Sequence, residues 1–384
     1  MPEVLEASFQ KEFSSLLHAL SMEGALLKPE KPSSAQLFLE ISLAHEIQPL
    51  LHYYGRSTGL FSQWPEMAFE MEKEARRQQL IETARHEELL RVFKALKDEG
   101  VPFLVLKGTA LAYGLYPQPG LRPRCDTDIF VPREALPSVF SVMERLGFGA
   151  EPLISGELVN YQRIFYHEDA FGVETVLDIH WKLANPQAVA DLLDFSEMNA
   201  ESAEIPGLCG ARGLSARHAL LHACVHRAAH HHNEDLLIWL YDIRLLGQRM
   251  DKKAWQDFLE LARAKKALRL AAEGMDACAR FLKTEYPEEI RTYVFKALGM
   301  EHEPSAVFAQ KNISRIGLLA SDLKNLRPSR RARLLFEMLF PPSEFMRQKY
   351  PAVPAWALFF LYPARILRGV VKFFVDAARR REKA

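Results

Sequence analysis

The sequence predicts an α+β fold, in which a small mixed sheet lies between an N-terminal and a C-terminal helical region. Apolar residues recur at spacings of three and four along residues 1–99, which is the period of a helix with one packed face. Short branched apolar runs alternate with turn residues along residues 100–210, which is typical of buried strands. The helical period returns in residues 211–384, which end in an amphipathic tail. We therefore expect three regions with these bounds.

The predicted elements of the middle region follow one another in a simple order. Gly100 and Pro102 interrupt the preceding helical pattern. After them we expect a strand, a helix, a strand, a helix closed by Gly147, and a hairpin that turns at Phe171. These elements are predicted from VPFLVL, Thr109–Tyr116, DTDIFV, PREALPSVFSVMERLGF, and YQRIFYHED with VETVLDIHWKL.

The composition excludes several classes of protein. The chain has 384 residues, a hydrophobic content of 48% that can build a core, and a formal net charge of +0. A general nucleic-acid binder usually carries a clear basic excess, so we do not expect general nucleic-acid binding. The four cysteines are far apart in sequence, which argues against a disulfide framework and a zinc ribbon. Because the charged N-terminus also lacks the apolar stretch of a secretory signal, we expect a cytoplasmic protein.

Two aspartates stand one residue apart in the second predicted strand. Side chains at i and i+2 of a strand project to the same face, so Asp126 and Asp128 should lie close together. Two neighbouring carboxylates repel, and a divalent cation removes that repulsion. Mg²⁺ prefers oxygen ligands and is commonly held by a few carboxylates together with substrate phosphates. The pair therefore indicates a site for Mg²⁺ or Mn²⁺.

The context of the two aspartates decides between this interpretation and a simpler one. An Asp-x-Asp sequence by itself usually lies in a solvated turn or caps a helix. Here a Gly-Thr turn follows the preceding buried strand, and a third acid, Asp178, lies on its own predicted strand. Glu174 and His180 share the face of Asp178 by the alternation of a strand. The metal interpretation is therefore favoured, with His180 as a further candidate for the pocket.

The stretch LKGTALAYGLYPQPGLRPRCDTDIFV resembles the signature of the uncharacterised nucleotidyltransferases of the DNA polymerase β superfamily. In that family a Leu-Lys-Gly strand end precedes Tyr-Pro, an arginine and an Asp-x-Asp strand. The later LDIHWKL and the helical LLHACVHRAAH and WLYDIRLL also resemble it, so the resemblance covers about residues 85–250. It implies a small mixed-sheet nucleotidyltransferase core.

The resemblance implies a role for each matching residue. Gly108 and Thr109 match the position where backbone N–H groups at a helix start bind triphosphate oxygens. Asp126 and Asp128 match the two metal-binding acids. Asp178 matches the third acid, which holds a second metal or accepts the proton of the attacking hydroxyl.

Two basic residues also match positions that recur in this family. The expected role of Lys107 and Arg122 is to bind phosphate, and a guanidinium suits a grip with two nitrogens. The residues alone allow simpler roles. Lys107 can be a strand-end lysine that reaches water, Arg122 can pair with Asp126 or Asp128, and Thr109 can cap a helix.

A histidine-rich helix follows the predicted sheet. His222, His226 and His230 are spaced by four residues and should line one helical face. With Asp242 they could form the metal centre of a His/Asp phosphohydrolase. We favour a helix that packs on the sheet and contributes one or two histidines to the substrate pocket, with His226 and Asp242 as the candidates.

The C-terminal tail combines aromatic residues with a basic stripe. Arg365, Arg368 and Lys372 lie at i, i+3 and i+7, and one tryptophan and four phenylalanine residues flank them. Residues 352–380 can therefore pack on the bundle or on a partner, or lie in a membrane interface. The protein is then either purely cytoplasmic or attached to the membrane periphery.

The function that we predict is transfer of an NMP group, with Mg²⁺ or Mn²⁺, from an NTP to a hydroxyl of an unknown small-molecule or protein acceptor. ATP is the expected NTP. Such catalysis needs little covalent chemistry from the protein, because positioning and charge neutralisation dominate. Two alternatives stay open: a catalytically inactive module that binds a nucleotide, and the His/Asp phosphohydrolase.

Overall fold

A mixed sheet of seven strands organises the described part of the chain. In the computed structural model, the described residues are 12, 14, 16, 17, 34–59, 61–151, 156–184, 186–300, 302–309, 313 and 315–369. The strands are β1 (Leu104–Val105), β2 (Asp126–Phe130), β3 (Gly149–Ala150), β4 (Gln162–Glu168), β5 (Glu174–His180), β6 (Ala203–Glu204) and β7 (Arg212–Gly213). Their order across the sheet is β3-β4-β5-β2-β1-β7-β6.

The centre of the sheet is the parallel pair of β2 and β5. Asp128 stands directly opposite Asp178 in the register of this pair. On its other side β2 is antiparallel to β1, so the end of β1 lies beside the start of β2. The strands β4 and β5 form an antiparallel hairpin that turns at Gly172, whose φ of 77° lies in the left-handed region that suits glycine.

Helices precede, interrupt and follow the sheet. Before it lie α1 (Ala35–Ala44), α2 (Gln48–Thr58) and α3 (Pro65–Asp98). Between its strands lie α4 (Lys107–Leu115), α5 (Leu136–Arg145) and α6 (Phe195–Ala200). After it lie α7 (Ala216–Ala229), α8 (Leu237–Gln248), α9 (Lys252–Ala264), α10 (Leu268–Leu282), α11 (Glu288–Ala297), α12 (Arg315–Asn325), α13 (Pro328–Leu339) and α14 (Ser343–Lys349).

Each face of the sheet packs against a different group of helices. Ile129 and Ile179 point to the face that α3 and α5 cover, where the fully buried Phe93 of α3 joins the same cluster. Burying a side chain of this size contributes about 1.5–3 kcal/mol. Phe130 points to the opposite face, in a core shared with α7, α8 and the N-terminal helices. Since Asp128 shares the face of Phe130, the acids lie between the sheet and the helical bundle.

The predicted fold class is confirmed, since a mixed sheet is flanked by helical regions. The predicted hairpin, the strand at Asp126 and the short helix after Lys107 are present. The strands β6 and β7 were not predicted; they add residues 203–204 and 212–213 to the sheet, which β7 joins through the pair of Val105 and Gly213. The division into three regions at residues 99 and 210 stays a prediction.

The C-terminal part of the described chain is helical and rich in aromatic residues. A 3₁₀ turn at Ala355–Phe360 leads into helical residues 361–369. The rest of the predicted tail, residues 370–384 with Lys372, lies outside the described residues. Among the helices of the described ranges, none combines the length and the hydropathy that crossing a bilayer requires.

Candidate active site

Three neighbouring strands bring the acidic and basic side chains of the site together. Asp128 and Asp178 lie side by side because β2 and β5 are parallel and in register. Leu106 separates Lys107 from the end of β1. The N–H of Leu106 donates to the carbonyl of Asp128 at 2.9 Å. The end of β1 is thereby fixed next to the carboxylate of Asp128.

The side chains at this point form one connected cluster. The Nζ of Lys107 donates to Oδ1 of Asp128 at 2.5 Å. The Nε2 of His180 lies 2.8 Å from the same oxygen and 3.2 Å from Oδ2 of Asp178. The Nε2 of Gln162, on β4, donates to Oδ2 of Asp178 at 2.7 Å. Two buried carboxylates are thus held by two cationic or hydrogen-bonding groups and one amide.

The electrostatic balance of the cluster favours its ionised form. Burial opposes the charge of Asp128, but the attraction of Lys107 and the hydrogen bond with His180 lower the pKa of Asp128 below its usual range. Burial also lowers the pKa of Lys107, and Asp128 more than offsets this, so the pKa of Lys107 lies above its ordinary value. For His180, burial and Lys107 oppose protonation, while hydrogen bonds to both aspartates raise its pKa above the ordinary value.

Asp126 occupies the solvent end of the same strand. Its side chain is exposed, and it faces Val176 rather than another acid in the register of β2 and β5. The protein that surrounds the carboxylate, together with the like charge of Asp128, raises the pKa of Asp126 to about 6. Asp126 is therefore close enough to interact electrostatically with Asp128, but it is not one of the side chains that contact each other in the cluster. Its role as a metal ligand stays a prediction.

Three of these residues fit a divalent cation. Asp128, Asp178 and His180 each offer one ligand atom, and the three atoms lie within 4.8 Å of one another. Oδ1 of Asp178 is buried and has no hydrogen-bond partner among the described residues. Carboxylate and imidazole together form a donor set that transition metals accept, and carboxylates also suit Mg²⁺. The metal set that the sequence predicted thus shares Asp128 and Asp178 with this group, and the structure adds His180.

The predicted phosphate-binding turn is the first turn of α4. Lys107 has a φ of 45°, an uncommon conformation for a residue with a side chain, and it begins the helix. The first N–H groups of a helix have no intrahelical partner and point outward, as an anion requires. Thr109 does not cap the helix, because Leu106 is the N-cap and the hydroxyl of Thr109 contacts that of Thr127 at 2.9 Å.

Arg122 contacts the helical bundle instead of the aspartates of β2. Its Nε and Nη2 donate to both carboxylate oxygens of Asp242 on α8, at 3.0 Å and 2.6 Å for the two shortest contacts. The hydroxyl of Tyr116 donates to Oδ1 of Asp242 at 2.7 Å. The interpretation that Arg122 pairs with Asp126 or Asp128 is therefore wrong in this structure. Its guanidinium still lies beside the turn, because a Cβ at Gly108 would stand 2.6 Å from Nη1 of Arg122.

The histidines of α7 line a cavity next to this cluster. His222 and His226 contribute to a cavity of about 350 Å³ that Lys107, Arg122 and Asp242 also line. Burial, followed by the nearby charge of Lys107, lowers the pKa of His222 to about 3, so its imidazole is neutral at physiological pH. In the described ranges, these histidines form no metal-ligand group with Asp242. The carboxylate of Asp242 is instead occupied by Arg122, as described above, which disfavours the phosphohydrolase interpretation.

Sequence analysis missed two contributors to the site. Gln162 lies on β4 and reaches Asp178 only because the hairpin pairs the two strands. Arg124 forms a buried ion pair with Glu82 of α3, and the hydroxyl of Tyr113 donates to Glu82 at 2.6 Å. The one signal that could have indicated Arg124 is its position two residues before Asp126, since partners from α3 have no pattern in the sequence.

Comparisons with known proteins show a matching family and a distantly similar solved structure. A family model described as "Uncharacterised nucleotidyltransferase" matches residues 31–283. No curated protein matches the chain. Among solved structures, the crystal structure of JHP933 from Helicobacter pylori is similar, with 16% sequence identity and a TM-score of 0.31. The match covers 56% of this chain and 97% of that chain.

Proposed function

The chain belongs to the family of uncharacterised nucleotidyltransferases, and from this premise we propose that it transfers an NMP group from an NTP to a hydroxyl group. The observation that carries this proposal is the position of Asp128 and Asp178 beside the first turn of α4. Carboxylates and a helix N-terminus are the two parts that a nucleotidyl transfer site needs, one for a cation and one for phosphate.

The proposal assigns the cation to Asp128 and Asp178, with Asp126 at the solvent end. When bound, Mg²⁺ or Mn²⁺ would neutralise the phosphate charge and stabilise the attacking and leaving oxygens of an in-line displacement. The unpartnered Oδ1 of Asp178 and the three converging ligand atoms support this assignment. Mg²⁺ dependence is part of the proposal.

The protein's own groups then position the substrate. The N–H groups at the start of α4, on both sides of Gly108, bind phosphate oxygens, and Lys107 adds a positive charge next to them. Arg122, fixed by Asp242, supports the turn from behind. The acceptor oxygen attacks the α-phosphorus, the bond to pyrophosphate breaks, and the carboxylate of Asp178 accepts the proton of the hydroxyl. ATP is the proposed donor, and the proposed location is the cytoplasm.

One observation supports a second candidate, a module that binds a nucleotide without turning it over. The ammonium of Lys107 already pairs with Asp128 at 2.5 Å, so a cation must compete for that oxygen. Release of pyrophosphate separates the two functions. Continued absence of release with every NTP, either divalent ion and cell extract would favour the binding module.

The experiment that tests the proposal follows the label of α-³²P-NTPs. The protein is incubated with each NTP, with Mg²⁺ or Mn²⁺, and with cell extract, and products are analysed by mass spectrometry. We expect one small molecule or protein to gain the mass of one nucleotidyl unit, and its identity would name the acceptor class.

Asp126→Asn is expected to abolish this transfer and leave the fold intact, because the side chain of Asp126 is exposed and packs little. The matched control is Asp98→Asn, which changes an exposed aspartate at the end of α3 and should keep full transfer. Full transfer in Asp126→Asn would mean that the acids of β2 do not form the reactive site.

A further inference from the structure

His180 is the part of the acidic cluster whose chemistry differs most from that of a pure carboxylate site. It is the last residue of β5, is 1% exposed, and lies on the same face as Asp178. Its Nε2 contacts an oxygen of each aspartate. Imidazole binds metal ions in its neutral form, so an ion bound here would displace any proton on this nitrogen.

The distances within the cluster match the spacing of ligands around one ion. Ligand atoms bound at about 2.0–2.1 Å in octahedral geometry lie about 3 Å from their neighbours. The Nε2 of His180 lies 2.8 Å from Oδ1 of Asp128 and 3.2 Å from Oδ2 of Asp178. Both distances fit neighbouring ligands of one ion, and the ligand atoms of the three residues all lie within 4.8 Å of one another.

A second observation indicates that a ligand belongs at this point. Oδ1 of Asp178 is buried and lacks a hydrogen-bond partner in the described residues, although Asp178 is only 7% exposed. A buried polar atom without a hydrogen-bond partner is unfavourable unless a ligand satisfies it. The other oxygen, Oδ2, accepts a hydrogen bond from Gln162, so Oδ1 is the oxygen of Asp178 that a ligand would satisfy.

We propose that the Nε2 of His180 binds the divalent ion directly, together with Asp128 and Asp178, and that it makes this site prefer Mn²⁺ to Mg²⁺. Mg²⁺ binds oxygen and dehydrates reluctantly, whereas Mn²⁺ accepts imidazole nitrogen in addition to carboxylate. This inference rests on the proposed function, because it concerns the same metal site.

The test uses the Mn²⁺ ion itself as the probe. Full-length protein is titrated with Mn²⁺, free Mn²⁺ is measured by electron paramagnetic resonance, and Mg²⁺ is then added as a competitor. We expect Mn²⁺ to bind at least tenfold more tightly than Mg²⁺. Pulsed measurements on the bound ion should detect the ¹⁴N coupling of one directly bound imidazole.

The matched variants are His180→Gln and His222→Gln, which each remove one buried imidazole near Lys107. The first should lose the ¹⁴N coupling and bind Mn²⁺ at least tenfold more weakly, and the second should keep both properties. Mn²⁺ bound without ¹⁴N coupling in the unaltered protein overturns the inference, even if the variant fails to fold. Coupling that survives His180→Gln overturns it as well.

The result also separates this inference from the proposed function. Nitrogen-bound Mn²⁺ without any nucleotidyl transfer would contradict the proposed function and support His180 as a metal ligand. Nucleotidyl transfer together with equal affinities for Mg²⁺ and Mn²⁺, and no ¹⁴N coupling, would support the proposed function and contradict His180 as a metal ligand. Failure of both ions to bind would overturn the inference.

A separate surface of the molecule carries an independent inference. We define the basic segment as residues 324–369, which contain α13 and α14. Several of its aromatic side chains are largely exposed: Trp356 (76%), Phe359 (73%), Phe360 (66%) and Phe336 (62%). Two of them, Phe336 and Phe359, line an open apolar hollow of about 630 Å³ together with Phe340, Tyr362 and Leu367. Exposed apolar surface of this extent marks a contact site.

The charge of the basic segment indicates which kind of partner this surface binds. Residues 324–369 contain nine lysine and arginine residues against two glutamates, in a chain whose formal net charge is +0. Positive charge beside exposed tryptophan and phenylalanine suits the headgroup region of an anionic bilayer, where rings enter the interface and basic groups meet lipid phosphate. We infer that the basic segment binds the surface of an anionic membrane.

This inference is tested by sedimentation with vesicles. We expect the full-length protein to sediment with phosphatidylcholine vesicles that contain phosphatidylglycerol, to remain in solution with phosphatidylcholine alone, and to be released by high salt. Trp356→Ser combined with Phe359→Ser should weaken binding at least tenfold. Phe295→Ser, on α11, removes an aromatic ring of similar exposure (64%) outside the segment and should change nothing.

Three results would contradict the membrane inference. One is equal binding to both kinds of vesicle, and another is unchanged binding in the double variant. The third is a stable dimer that loses its association when the two aromatic residues are changed, which would assign the basic segment to a second copy of the chain.

Discussion

Lys107 and Gly108, at the start of α4, are constrained in different ways. Lys107 adopts a φ of 45°, which costs a residue with a Cβ about 1 kcal/mol or more. The strain is offset by the pairing of its ammonium with Asp128, which directs the side chain into the cluster. Gly108 has an ordinary φ, and its requirement is space, because the guanidinium of Arg122 packs against its Cα.

Gly108→Ala is therefore expected to destabilise the protein by about 1–3 kcal/mol, because the new Cβ would stand 2.6 Å from a guanidinium that Asp242 holds in place. We also expect weaker binding of ATP with Mn²⁺. Urea unfolding and titration calorimetry measure the two effects.

Gly114→Ala is the matched control on the same helix. A Cβ at Gly114 meets no atom within 4 Å, so the change should stabilise α4 by about 0.5–1 kcal/mol through its higher helix propensity. Equal stability changes in the two variants would show that contact with Arg122 does not explain the glycine at position 108.

At the level of elements, α4 and α8 are connected through one buried ion pair. Arg122 follows α4 by a short turn, and Asp242 lies on α8 in the bundle, 120 residues later. Both side chains are nearly inaccessible, with exposures of 7% and 4%. A buried pair of this kind contributes little net stability compared with apolar residues, but loss of one partner leaves a buried charge unpaired.

Asp242→Leu should therefore cost about 3–5 kcal/mol, and Arg122→Met combined with Asp242→Leu should cost clearly less. The double-mutant cycle, measured by urea unfolding, gives the coupling of the two side chains. We expect ATP binding to weaken in both proteins, because each has lost the guanidinium's fixed position beside Gly108. Additive single and double changes would mean that the two side chains do not depend on each other.

The elements of the middle region were predictable to different extents. The strands β2, β4 and β5 are five to seven residues long, which is enough for a strand pattern to show in the sequence. The strands β6 and β7 have two residues each, too few for any period to appear. Their place at the sheet edge depends on pairing with β1, which is a property of the fold.

For the whole molecule, a layer of neutral histidines lies between the sheet and the bundle. The pKa of His230, like that of His222, is lowered to about 3 by burial and by the positive charge of Lys107. His180, Asp128 and Lys107 face His222 across this layer. Folding therefore requires these imidazoles to stay uncharged, while the unfolded chain protonates them near pH 6.5.

The sign of the resulting pH dependence follows from proton binding. Between pH 6.5 and about 3 the unfolded state binds more protons at His222 than the folded state does, so stability falls as the pH falls through this range. We expect His222 alone to account for about 2 kcal/mol of unfolding free energy lost between pH 7 and pH 5.

His222→Gln should reduce this loss by about the same amount, about 2 kcal/mol, when urea unfolding is compared at the two pH values. His302→Gln changes an exposed histidine and is the control, with an expected dependence equal to that of the unaltered protein. An unchanged pH dependence in His222→Gln would show that another group is responsible for the acid lability.

The sequence by itself determined which residues share a face. Alternation along a strand predicts that Asp126 projects with Asp128 and that His180 projects with Asp178, and these relations are local properties of an extended backbone. The mixed sheet between helical regions could also be predicted, because the spacing of apolar residues along each segment is a local property of the sequence.

Only the tertiary structure decided which faces meet. The parallel register of β2 and β5 sets Asp128 against Asp178 and leaves Asp126 at the solvent end, and the bundle gives Arg122 its partner in Asp242. Such contacts join residues far apart in sequence, so they depend on the packing of the whole chain. The physical reason is that a charged side chain needs an ion-pair or hydrogen-bond partner only when it is buried. Which side chains are buried, and which partners they meet, is set by the folded chain.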